Sequence, residues 1–177
     1  MTATQLDDAS TLSDRVRRVH AQFPTGVMVV TTAVDGVPHG LAVNAFSSVS
    51  LDPPVVLFCV AKTSRTHAHL YGAEWAAVNI LSHRQLGVAK QFATSGVDKF
   101  AGLDWTPGPH GAPVLDGASA WLEVELRLKI DASTHTIFTG QVHEATSAQL
   151  PPLVYLAPGL FDGARLTEAT LDLEESR

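Results

Sequence analysis

From Leu122 to Ile130 the chain alternates without interruption: Leu122, Val124, Leu126, Leu128 and Ile130 are separated by Glu123, Glu125, Arg127 and Lys129. Successive strand side chains point to opposite faces, so this run predicts one long β-strand with an apolar face and a wet one. After a turn near Ala132–Thr134, residues 136–142 supply its expected partner, and Leu153–Leu156 a last short strand. Upstream, the run 26–34 is dense in Val and Thr, and Asp35-Gly36 is a hairpin signal before a second strand over 41–50. Leu51-Asp52-Pro53-Pro54 ends that strand, and Val55–Val60 is apolar throughout, as expected of a strand buried on both faces.

Helical spacing is confined to short segments. Val16, Val19, His20 and Phe23 predict an amphipathic helix ended by Pro24; Ser64 can cap a helix over 65–71; and Leu86, Val88, Ala89 and Phe92 mark another within 83–92, after a strand over 75–81. Residues 94–117, rich in Gly, Pro and Asp, form a long loop of the kind that often carries function. Strands outnumber helices and most links are too short for crossover helices. The fold expected from pattern alone is mainly β with short helices, a closed antiparallel barrel. The chain of 177 residues fits one domain, taken as 13–165, with a mobile tail at 1–12 and a C-terminal tail at 166–177.

A formal charge of −6 has the wrong sign for a phosphate-backbone binder, so no nucleic-acid partner is expected. No apolar run approaches the ~18 residues of a membrane span, and the N-terminus lacks a signal-peptide pattern, so a cytoplasmic protein without a membrane partner is expected. The single cysteine, Cys59, cannot form an intrachain disulfide and reads as a buried, inert thiol. His67 and His69 do not share a helix face and no further ligands stand at useful spacing, so no metal site is expected. Hydrolase-elbow, dinucleotide-fold and Walker motifs are all absent.

Four segments can carry chemistry, each beside a plainer reading. Lys62-Thr63-Ser64-Arg65-Thr66 joins cations and hydroxyls at a helix start, which outlines an anion site or a solvated cap. Asn44-Ala45-Phe46-Ser47-Ser48-Val49-Ser50 is small and polar, suited to a planar ligand or to a decorated edge strand. His135 opens a strand beside a turn, as a surface imidazole or a substrate contact, and Asp98-Lys99-Phe100 in the long loop reads from spacing alone as an ordinary loop anchor.

Together the segments resemble the flavin reductase-like domain family over about residues 16–160. The matching stretches occur in the family's order: Phe23-Pro24-Thr25-Gly26-Val27, the run 40–54, Lys62-x-Ser64-x-Thr66, Asp98-Lys99-Phe100-Ala101-Gly102, Trp121-Leu122-Glu123 and His135-Thr136-Ile137-Phe138-Thr139-Gly140. The resemblance implies an FMN-binding split β-barrel and a homodimer with flavin, FMN or FAD, near the subunit interface. It implies that Thr25 and the stretch Asn44, Ala45, Phe46, Ser47 and Ser48 line the isoalloxazine and ribityl part. Lys62, Ser64 and Thr66 would hold phosphate, Lys99 and Phe100 close over the flavin, His135 stand near the nicotinamide as the catalytic residue, and Tyr155 with Phe161 border that pocket. The sequence departs from the pattern in two places: Ser133-Thr134 precede His135 where many relatives carry Gly-Asp, and Ala42 stands where a threonine is frequent. The activity implied is NAD(P)H-dependent reduction of a freely exchanging flavin, with hydride passing from nicotinamide C4 to flavin N5. The reduced flavin is handed to a separate monooxygenase. A non-catalytic flavin carrier on the same barrel is the alternative.

Overall fold

The computed structural model describes residues 11–168. Of the tails expected at 1–12 and 166–177, residues 1–10 and 169–177 lie outside them, whereas Thr11 and Leu12 cap and begin α1 (Leu12–His20). Thr11 and Asp14 form a reciprocal capping box that satisfies the first free N–H groups. The apolar side chains Leu12, Val16 and Val19 of α1 remain exposed.

The strands follow as β1 (Thr25–Gly26), β2 (Met28–Val34), β3 (Val37–Val43), β4 (Phe46–Leu51), β5 (Pro54–Ala61), β6 (Trp75–Ile80), β7 (Trp105–Pro107), β8 (Pro113–Leu115), β9 (Ala120–Ala132), β10 (His135–Ser147), β11 (Leu153–Leu156) and β12 (Gly159–Asp162). Helices α2 (Arg65–Gly72) and α3 (Leu86–Ala93) flank β6. Asp35 and Gly36 take φ of 51° and 77°, the left-handed pair that a two-residue hairpin between β2 and β3 needs.

Seven strands form one antiparallel sheet in the order β3-β2-β6-β9-β10-β5-β4. It curls around Val30, Val78, Val124, Phe58, Phe138 and, from α2, Leu70, all fully buried. The edge strands β3 and β4 share no ladder, so the barrel is split, in place of the closed barrel that strand count alone suggests. Phe58 and Phe138 stack at 5.4 Å across the β5–β10 ladder, and truncating either would cost about 3–5 kcal/mol. A second cluster lies outside the curl, where Ala89 and Phe92 of α3 cover Val27, Val29, Leu115 and Leu153. The smaller sheet β1-β11-β12 borders it.

Three expectations are corrected. The run 41–50 is two strands, because a tight turn in which the Phe46 N–H donates to the Asn44 carbonyl sends β4 away from β3 to β5. Strand β5 is buried on one face only: Val56, Phe58 and Val60 face the core, whereas Val55, Leu57 and Cys59 are half-covered. The alternation in β9 does not stay on one face. Thr139 pairs with Leu128 but Gly140 pairs with Leu126, so Arg127 is an extra residue, a β-bulge that turns Leu128 and Ile130 outward. On the expected wet face Glu123 is fully buried, bonded to the loop at 110–112.

Candidate functional site

Thr25 pairs with Tyr155 in the two-residue ladder of β1 and β11, and this brings both beside the turn at Asn44-Ala45. Two adjoining grooves share Asn44 and Tyr155. One, of about 350 Å³, has a bed of small residues, Ala42, Ala89 and Ala93, closed by Val27 and Leu160. The other, of about 520 Å³, runs past Thr25 and Ala45 to Arg17 and His20 of α1. The Thr25 hydroxyl is buried with no hydrogen-bond partner, and Asn44 is exposed. A flat bed of methyl groups, apolar sides, an unsatisfied hydroxyl and a free carboxamide suit a planar heterocycle rimmed with donors and acceptors.

The other residues of the 44–48 stretch diverge. Ala45 accepts the Cys59 N–H through its carbonyl, Phe46 packs against the barrel core, and Ser47 and Ser48 sit exposed on the edge strand β4. Phe161 lies in a neighbouring cavity with Pro24 and His83, separated from Tyr155 by Leu160.

The start of α2 stands beside the alanine bed, since the buried Thr66 hydroxyl donates to the Gly40 carbonyl at 2.9 Å, two residues from Ala42 on β3. Ser64 is the N-cap, accepting from the Thr66 N–H at 3.3 Å. A Cβ built on Gly96 would lie 3.5 Å from the Arg65 guanidinium, so the 94–99 loop and the α2 start share one rim. Arg65, one of the two cations of the motif, is the charge at that rim.

Lys99 and Phe100, expected to close over a ligand, are engaged in the body of the protein. The Lys99 ammonium donates to the carbonyls of Gln91, Phe92 and the C-cap Thr94, and so caps the C-terminal end of α3. Burial, and then the Arg65 charge, push its pKa below the usual lysine range. Gln91 returns the contact by donating to the carbonyls of Asp98, Lys99 and Ala101, and Phe100 packs edge-on against Phe92 and Trp105. No local sequence signal marks Gln91 as the staple of this loop.

Lys62 also has a partner: its ammonium lies 2.8 Å from both oxygens of Asp131. His135 opens β10 opposite Ala61, two residues along β5 from the Cys59 that holds Ala45, a rise of about 7 Å. Its Nδ1 is 2.9 Å from the Thr134 hydroxyl.

A flavin reductase like domain model matches residues 20–163, and the chain belongs to that family. Its split barrel is the fold of solved flavin reductases: an NADH:FAD oxidoreductase of Streptomyces globisporus superposes with a TM-score of 0.80 at 36% identity, covering 92% of this chain and 98% of that one. Among characterised relatives, the NADH-dependent FAD reductase of Streptomyces globisporus is 40% identical over 171 residues, 93% of this chain and 91% of that protein. The reductase subunit of a flavin-dependent monooxygenase of Rhodococcus jostii is 42% identical over 128 residues, 72% of this chain and 66% of that protein. The chain spans about two thirds of the length of that subunit, and 47% of a Rhizobium meliloti flavin reductase.

Proposed function

We propose that this protein is an NAD(P)H:flavin oxidoreductase that reduces freely exchanging FAD or FMN and passes it to a separate flavin-dependent monooxygenase. The observation that carries the reading is the double groove around Asn44 and Tyr155, with the unsatisfied Thr25 hydroxyl buried in its wall and the α2 start tied to β3 two residues from its alanine bed. Bound flavin supplies the redox chemistry, taking hydride from reduced nicotinamide C4 at its N5. The chain's own part is binding and alignment. Thr25 and Asn44 offer hydrogen bonds to the polar edge of the ring, and Tyr155 forms the wall common to both grooves. Arg65 and the positive N-terminal end of the α2 dipole, capped by Ser64, favour a phosphate beside it. His135 orients the nicotinamide carboxamide or holds a proton there. The reaction draws on the reduced nicotinamide pool, and a cytoplasmic location goes with it.

We further propose that the protein acts as a homodimer. Leu128 and Ile130, thrust outward by the Arg127 bulge, are 59% and 47% exposed and neighbour Ile137 on β10. They continue across the sheet to Cys59 and Leu57 on β5, an apolar strip that a second copy covers.

Steady-state assays with NADH or NADPH and added flavin test the function. Many turnovers of free flavin are expected; retention of flavin without turnover would make the protein a carrier. His135→Ala is expected to raise the KM for the nicotinamide and to lower kcat/KM by about ten- to a hundredfold, with flavin affinity unchanged.

A further inference from the structure

We propose that Lys62, Asp131 and Thr134 are positioning residues that fix the imidazole of His135, so that Lys62 serves the nicotinamide side of the reaction and not the flavin phosphate. The inference rests on the reading of His135 given above. His135 is the first residue of β10, and only Ser133 and Thr134 separate it from β9. Ser133 takes φ of 58°, a left-handed conformation that a residue with a Cβ adopts at a cost and keeps only when its surroundings enforce it. The enforcement comes from the end of β5. The Lys62 N–H donates to the Thr134 carbonyl at 3.0 Å, while the Lys62 ammonium grips both oxygens of Asp131, the last but one residue of β9.

One lysine therefore holds the turn at both ends, across 69 residues of sequence. The hydrogen bond from Lys62, and then its charge, hold the Asp131 carboxyl below the usual range. On the other side of His135, the buried Thr136 hydroxyl is bonded to His67 Nε2 of α2 at 2.8 Å. The ring itself is met by the Thr134 hydroxyl. Exposed ion pairs add little to stability, so the consequence of this one lies in geometry. An ammonium already neutralised by a carboxylate is also a poor anchor for a phosphate.

The test uses the full chain with K62M, D131N, the exchange K62D/D131K, T134V, T134S and, as reference, H135A. Nitrogen-detected NMR of the apoprotein reads the His135 ring: T134V, D131N and K62M are expected to shift its resonances, with T134S and the charge exchange close to wild type. Fluorescence titration is expected to give wild-type affinity for FMN and riboflavin in K62M; a loss confined to FMN would make Lys62 a phosphate anchor and overturn the proposal. In turnover, K62M and D131N are expected to raise the nicotinamide KM about two- to fivefold with the flavin KM unchanged, and the exchange to restore it. Unchanged His135 resonances in T134V, D131N and K62M would also overturn it. Wild-type turnover by H135A, with the resonance shifts present, would instead overturn the role given to His135 and leave the positioning intact.

Discussion

Glu123 carries its carboxylate to the covered side of β9 and meets N–H donors there: the backbone of His110 and Ala112, and His110 Nδ1 at 2.9 Å. His110 in turn lies flat on Trp75 at 3.6 Å, so one buried side chain organises the whole 108–112 loop. Glu123→Ala leaves those amides without acceptors inside the protein, and a loss of about 1–3 kcal/mol per stranded group is expected. Denaturant unfolding of the variant measures it; wild-type stability would mean that the loop simply opens to water. Nothing near Glu123 in the sequence marks it as buried, because its alternation with Leu122 and Val124 is that of a solvent-facing residue. The same holds for Lys62, whose partner Asp131 is brought to it only by the β5–β10–β9 ladders.

The elements themselves are more legible. The β2–β3 hairpin follows from Asp35-Gly36, α2 from Ser64, and the length of β9 from its alternation, since each rests on neighbours in the chain. What local pattern cannot carry is pairing between distant segments, and the groove depends on such a pairing, the two-residue ladder of Thr25-Gly26 with Val154 and Tyr155. Helix α2 also meets β3 through a stack of His69 on His39, rings 3.6 Å apart and within 8° of parallel. Burial, then the charge of His69, push the His39 pKa below its ordinary value of about 6.5. The unfolded chain then binds the proton more readily than the folded one. This contact costs stability as pH falls below about 6.5 and is neutral above it. His39→Gln is expected to show a smaller drop in Tm between about pH 7 and pH 5 than wild type. An equal drop would remove His39 from the acid response.

For the molecule as a whole, the proposed dimer rests on the apolar strip through Leu57, Cys59, Ile137, Leu128 and Ile130. Leu128→Glu together with Ile130→Glu is expected to yield a folded monomer by sedimentation at micromolar concentration, with a far-ultraviolet spectrum like that of wild type. A dimer that survives both changes would place the interface elsewhere. The bulge at Arg127 gives this strip a particular vulnerability. Leu126 and Leu128 look interchangeable in sequence, yet one belongs to the interior and the other to the outside, and a single inserted residue sets which is which. Losing one codon at 127 would leave composition, charge pattern and strand length almost intact while reversing the phase of everything after it. A sequence comparison that tolerates a one-residue gap there would score the shortened chain as a near-perfect copy, although its inside and outside had exchanged places.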